Sequence, residues 1–337
     1  MRTMLKMMKE RLAAGEELAL VTVTAASGAT PRGAGARMLV NQEGRICGTI
    51  GGGAVEFRSI QMAQQMLEEK TSCQHDFSLT RNDVENLGMI CGGDVRVFFR
   101  YLPACDENAL AVSAEAERQF SLGHALWLLD DLGDGGGLTL WTREEGFFGA
   151  EAPRWLESEL GNRPHRVQRD GRDFFVEQIC ASGRVYIFGG GHVAQELEPV
   201  LSHVGFRCVV LDDRPEFTRP ELFPTAEEIR LVDFNRLEDY VTLSAEDYVC
   251  VMTRGHAYDT VVQAQILRQK PAYVGVIGSR AKAAGVRKRL LEEFGLTEED
   301  VNRITTPIGL EIQAETPAEI AISIAAQLIQ LRAQRSK

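Results

Sequence analysis

Apolar residues recur along the chain in two rhythms, and the rhythm changes near residue 181. In the first part, Leu18 to Thr24 runs through β-branched residues and predicts a strand. Arg37 to Val40 and Arg45 to Ile50 predict a hairpin around Asn41-Gln42-Glu43-Gly44. Ala54 to Glu69 carries Val55, Ile60, Met62, Ala63, Met66 and Leu67 at helical spacing, which suits a helix lying on a sheet. Cys73 to Leu79 and Val95 to Tyr101 predict further strands, and Glu107 to Phe120 a helix. Strands at Ala125 to Leu129 and Leu138 to Trp141 flank a turn cluster at 130–137. No internal repeat emerges.

From Arg184 the pattern becomes short apolar runs separated by helical stretches. Arg184 to Phe188, Phe206 to Leu211, Tyr248 to Met252 and Tyr273 to Ile277 predict buried strands. Helices are predicted to about Val204 and from Tyr258 to Arg268. This βαβ alternation predicts a parallel, doubly wound sheet. The final helix opens with Thr316-Pro317-Ala318-Glu319, a capping box with proline in the first turn. Its residues Ile320 to Ile329 are apolar nearly all round, so it is expected to be buried in the core or in a dimer interface. The expected fold class is therefore α/β. An N-terminal α/β (α+β) domain spans 1–180, with 103–180 as a connecting region. A Rossmann-like parallel-sheet domain spans 181–337.

Composition narrows the function classes. The 337 residues are 44% hydrophobic and 25% charged, as in ordinary globular proteins, and long enough to bury a core without staples. The net charge of −11 argues against a general nucleic-acid partner, since neutralising phosphates needs a concentrated basic face. No apolar run of about 18 residues suggests membrane insertion. Met1 to Arg11 mixes Met with charged residues and predicts an amphipathic helix rather than a secretory signal. Seven cysteines without a CxxC pair suit neither a disulfide framework nor a zinc ribbon, and place the chain in the reducing cytoplasm.

The clearest chemical signal is GxGxxA at Gly189, Gly191 and Ala194, between a predicted strand and a predicted helix. The first glycine permits the turn, the second lets a phosphate approach the backbone, and the small third residue lets helix and strand pack closely. Asp212 lies 23 residues after Gly189, the spacing of an acid that grips a ribose hydroxyl. With Asp213 it would repel a 2′-phosphate. The bland alternative is a turn that binds nothing. His192 follows the glycines, as either a ligand contact or a helix cap. Gly51, Gly52 and Gly53 form a second glycine loop before a helix, with Arg32 and Arg37 as nearby cations. Cys91 stands apart from the other thiols because it precedes Gly92-Gly93, where a thiol can be exposed and bind a soft metal. His256, Ser279 and Arg280 follow predicted strands, where ligands of open α/β sheets bind. His256 suits an acid, base or ligand, and Arg280 a phosphate partner.

Taken together, these segments resemble the xanthine dehydrogenase accessory protein family, XdhC/CoxI. The resemblance rests on Gly28-Ala29-Thr30-Pro31-Arg32, Gly48 to Glu56 and Cys91-Gly92-Gly93 in the first half. In the second half it rests on Gly189 to Val193, Asp212-Asp213-Arg214, Ile277-Gly278-Ser279-Arg280, Pro307 to Ile312 and Thr316 to Ala321. It implies a chaperone-like protein that binds molybdenum cofactor (molybdopterin), assists its sulfuration and inserts it into a molybdenum hydroxylase such as the xanthine dehydrogenase large subunit. It further implies a cysteine desulfurase partner, a homodimer, Cys91 at the molybdenum or its terminal sulfur, and glycine loops holding the pterin phosphate or a nucleotide. One departure is Arg254, where the family pattern has histidine after the residue matching Thr253. Two other readings remain open on the residues alone. One is an NAD-dependent oxidoreductase using the Gly189–Gly191 loop, with His256 as acid or base, and NAD(P) or another nucleotide is the candidate cofactor of the Rossmann domain. The other is a cysteine-dependent transferase using Cys91.

Overall fold

The structure is a computed structural model that describes residues 1–28, 30, 32–78, 93–180, 183–254 and 258–335. The chain divides into two compact units, Met1–Ala181 and Ser182–Lys337.

The first unit is built on two antiparallel sheets. Helix α1 (Arg2–Ala13) precedes β1 (Leu18–Gly28), β2 (Arg37–Asn41) and β3 (Gly44–Thr49). Helix α2 (Gly53–Glu69), β4 (Cys73–Ser78) and β5 (Gly93–Leu102) follow, giving a five-stranded sheet of order β3-β2-β1-β5-β4. Helix α3 (Glu107–Leu122) starts at Asp106, whose carboxylate accepts a hydrogen bond from Ala109 N at 2.7 Å, and ends at Gly123 in a left-handed conformation. The chain then forms β6 (Leu126–Asp131), β7 (Leu138–Thr142), β8 (Gly146–Gly149), β9 (His165–Arg169) and β10 (Arg172–Cys180), ordered β8-β7-β6-β10-β9. The segment expected to complete the first domain and connect it onward thus holds a complete second sheet. Three of its strands escape the sequence pattern: β8 and β9 are short, with glycine or charge among their residues, and β10 is mostly half-buried around Phe174–Val176.

One core joins the two sheets. Leu18, Leu20, Leu39 and Leu102 of the first meet Leu126, Leu128, Leu138 and Leu140 of the second, together with Leu5, Met8 and Leu12 of α1 and Ala109, Val112 and Ala116 of α3. The other face of the first sheet packs on Val55, Ala63 and Leu67 of α2. Two buried ion pairs also cross between the sheets, Arg37 with Glu177 and Arg100 with Asp130.

The second unit carries a parallel six-stranded sheet. Its strands are β11 (Val185–Phe188), β12 (Cys208–Asp212), β13 (Glu228–Leu231), β14 (Tyr248–Val251), β15 (Tyr273–Val276) and β16 (Ile304–Thr305). The order β13-β12-β11-β14-β15-β16 reverses direction at β11, as in Rossmann sheets. Helices α4 (His192–His203), α5 (Asp259–Gln269), α6 (Arg280–Glu292), α7 (Glu298–Asn302) and α8 (Pro317–Arg335) complete it. The four inner strands are fully buried, which explains their continuous apolar runs. Helix α8 buries Ala321, Ile324, Ala325 and Leu328 beside α4, while Ile322 and Ile329 are 52% and 38% exposed. The capping box at its start forms, with Thr316 and Glu319 each accepting from the other's backbone N–H. Among the described residues no helix is long and apolar enough to cross a membrane.

Candidate functional site

The glycine loop after β11 is shaped by what presses against it. Gly189 sits at φ 111°, and a Cβ there would lie 2.4 Å from Met252 O at the end of β14. A Cβ on Gly190 would lie 2.5 Å from Phe217 O. Gly191 has neither constraint: its φ of −69° suits any residue, and nothing stands within 4 Å of a Cβ there. Only this third glycine opens onto free space, beside the N-terminus of α4, where backbone N–H groups attract anions. Ala194 is fully buried, so α4 packs closely on the strand, while His192 is exposed.

Asp212 ends β12 and is 1% exposed. Its carboxylate accepts hydrogen bonds from Gly190 N at 2.7 Å, Arg214 N at 3.0 Å, Arg214 Nε at 2.9 Å and Arg214 Nη2 at 3.0 Å. Burial works against its ionisation, but the bonds from Arg214 and Gly190 outweigh it and hold its pKa below the ordinary value. Arg214 in turn stacks 3.8 Å over the Phe217 ring. Asp212, Arg214 and Phe217 therefore form a clasp on the glycine loop. The acceptor positions of Asp212, expected to grip a ribose hydroxyl, are taken in this structure by this chain's own donors. Asp213 keeps its side chain 29% exposed, and burial and the adjacent Asp212 raise its pKa.

The loops after the next strands hold the remaining candidates. Thr253 is buried and donates its hydroxyl to the Asp259 carboxylate, while Arg254 is exposed. Ser279 caps α6, accepting from Lys282 N at 3.4 Å, and Arg280 begins that helix. Ser279 lines a cavity of about 620 Å3 between β15, α5 and α6. His256 lies outside the described residues.

The first unit's glycine loop contains its own anion. Glu56, in the first turn of α2, accepts from Ile50 N and Gly52 N at 3.0 Å, from the Thr49 hydroxyl at 2.5 Å and from Arg45 at 2.7 Å. Gly51 N donates to the Thr49 hydroxyl at 3.1 Å. Gly51, Gly52 and Gly53 all have positive φ, so the loop does take the curled form that presents N–H groups. A carboxylate of this chain fills that concavity and takes the N–H groups of Ile50 and Gly52, where an external phosphate was expected. Burial opposes ionisation of Glu56, and its hydrogen bonds overcome that and lower its pKa. Arg32 is exposed. Arg37 is 4% exposed, bonds to Thr22 and Glu177 and lies over Phe175, so it is a structural cation. Burial lowers its pKa to about 10, against the opposing pull of Asp130.

Cys91 lies outside the described residues. Of the other thiols, Cys208 and Cys250 are buried, Cys47, Cys73 and Cys180 half-buried, and Cys105 exposed; none of these six is in a disulfide. Burial pushes Cys250 up to about 12 and raises Cys208. Among the described residues no group of three or more His, Cys, Asp or Glu side chains is placed to hold a metal ion. Sequence reasoning passed over three residues that organise these sites. Glu56 was signalled by its place in the first helical turn after the glycines, and Arg214 by its adjacency to the acid pair. Phe217 had no local signal.

A two-unit α/β protein with a Rossmann sheet, a clasped glycine loop and a helix-capped cavity is the class these features define. Residues 185–328 match the model of the XdhC Rossmann domain, and residues 11–78 match that of the XdhC and CoxI family. The chain belongs to the XdhC and CoxI family. It is 27% identical to a Bacillus subtilis protein named as a probable xanthine dehydrogenase subunit, covering 94% of each chain. It is 22% identical to the Escherichia coli molybdenum cofactor insertion chaperone PaoD, over 98% of this chain and 88% of the relative. A crystal structure from Bacillus halodurans, described as a xanthine dehydrogenase, shares the fold with a TM-score of 0.78 at 24% identity. That match covers 98% of this chain and 96% of the other.

Proposed function

We propose that this protein is an accessory factor that holds molybdenum cofactor, assists its sulfuration and delivers it to a xanthine dehydrogenase-type hydroxylase. The observation that carries the reading is the match to an insertion chaperone across both units together, rather than across the Rossmann unit alone. The cofactor is cargo here. Its pterin phosphate is an anion, and the open positions for one are Gly191 at the start of α4, Arg32, and Ser279, followed by Arg280, at the start of α6. Cys91 supplies the soft sulfur that suits molybdenum or its terminal sulfide. A cysteine desulfurase is the partner that would deliver sulfur, in the cytoplasm. The protein works as a homodimer, for which the exposed Ile322 and Ile329 of α8 offer an apolar stripe.

The oxidoreductase reading is not favoured, because Asp212 is bound to Arg214. The test is reconstitution. Purified apo-hydroxylase is incubated with free molybdenum cofactor, with and without this chain. Recovery of hydroxylase activity faster and to a higher yield with the chain is the expected result, and identical recovery would overturn the proposal.

A further inference from the structure

The cavity below α6 is lined by none of the residues Gly189–His192, so it is separate from the glycine loop. Its volume of about 620 Å3 falls within the ~300–1,000 Å3 of small-molecule sites. Val276, Ile277, Ala283, Val286, Leu290 and Ile304 give it apolar walls, as a flat ring requires. Gln263 of α5 also lines it. That side chain is 2% exposed, and its amide nitrogen Nε2 has no hydrogen-bond partner. A buried donor left unpaired is costly, and native structures seldom keep one without a ligand or water to meet it.

One helical turn earlier, the buried carboxylate of Asp259 lines the same cavity while accepting from Thr253. The Gln263 donor suits an acceptor on the edge of a fused pyrimidine. The remaining polar wall is cationic. Lys282 in the first turn of α6 lines it with Arg287 and Arg289, whose exposed pairings with Glu298 and Glu293 are of the weak surface kind. Ser279, at the N-terminus of this 13-residue helix, completes that side.

We infer that this cavity binds a phosphorylated fused-pyrimidine heterocycle. The ring lies between β15 and α6 and accepts a hydrogen bond from Gln263, and the phosphate sits at the first turn of α6 beside Lys282. Two sources share that chemistry. A pterin phosphate deepens the cargo reading and rests on it. A purine nucleotide does not depend on it.

The test is calorimetric titration of the full chain with 6-hydroxymethylpterin phosphate, with GMP and with inorganic phosphate. The variants are Gln263→Leu, which removes the unpaired donor at similar volume, and Ala284→Phe, which intrudes from an exposed position of the wall. At least one heterocycle is expected to bind tenfold or more tighter than inorganic phosphate. Each variant is expected to weaken it at least tenfold, with the melting temperature retained. Tenfold preference for the pterin identifies the cargo source, and the reverse identifies the nucleotide. Failure of both heterocycles to bind, or binding unchanged in both variants, would overturn the inference. Molybdenum and pterin content that is high in the wild type and unchanged in Gln263→Leu would overturn the pterin source, while leaving the accessory role standing.

Discussion

Arg214 holds Asp212 in a two-pronged grip, Nε on one carboxylate oxygen and Nη2 on the other, across only two residues of chain. Gly190 N shares the same carboxylate, so the grip ties the end of β12 to the glycine loop. Removing one partner of a buried pair leaves an uncompensated charge, at a cost of about 3–5 kcal/mol, and Arg214 is partly solvated, which favours the lower end. Arg214→Ala is therefore expected to lower unfolding stability by about 3 kcal/mol. The three tryptophans all lie in the first unit, so circular dichroism is the suitable probe here. A change below about 0.5 kcal/mol would show that the clasp contributes little.

Neighbouring glycines are expected to respond differently to alanine. Gly190→Ala pushes a methyl group against Phe217 O and should cost about 1–3 kcal/mol, as overpacking does. Gly191→Ala meets nothing and has an ordinary φ, so stability should stay within about 0.5 kcal/mol. Thermal melts of the two variants decide this, and equal losses would contradict the loop geometry.

These two sites also show what the sequence makes legible. The strand–glycine–helix unit and the order of the inner parallel strands follow from continuous apolar runs at βαβ spacing, because buried strands must be apolar on both faces. Spacing also placed Asp212 at the end of the right strand. Spacing alone could not show that Arg214, two residues on, turns back and takes that carboxylate. Glu56 was visible within its motif, yet its service to the N–H groups of Ile50 and Gly52 depends on the curl of the glycine loop. Strands β8, β9, β13 and β16 were missed because they are short or lie at edges, and β10 because charged and half-buried residues flank its buried Phe174–Val176, so each carries little periodic signal. Gln263 reads as any glutamine on an amphipathic helix, and only the cavity beside it marks it out.

Glu56 should make the first unit sensitive to acid. Its folded pKa lies below that of the unfolded chain, about 4.3. Its stabilisation is therefore present above that pH and is lost as pH falls through the folded value. Urea midpoints followed by tryptophan fluorescence from pH 6 to pH 3 should drop in the wild type. In Glu56→Gln they should start lower and fall less steeply over the acid range. Parallel curves for the two proteins would show that Glu56 is not the group responsible.

Arg37 and Glu177 offer a coupled pair. Both side chains are largely buried, Arg37 at 2% and Glu177 at 15% exposure. Arg37→Met strands the glutamate and should cost about 3–5 kcal/mol. The double variant Arg37→Met with Glu177→Leu should recover most of that loss, because replacing both members of a buried pair by apolar residues is often neutral. Additive losses in urea unfolding would mean the two side chains act independently.

The cargo role is tested most directly by the content of the protein itself. The full chain and its Cys91→Ala variant are purified anaerobically from a molybdenum-replete host, and molybdenum and pterin are assayed in the same samples. Near-stoichiometric molybdenum and pterin in the wild type, falling several-fold in Cys91→Ala at unchanged melting temperature, is the expected result. Wild-type protein carrying neither molybdenum nor pterin would contradict the account.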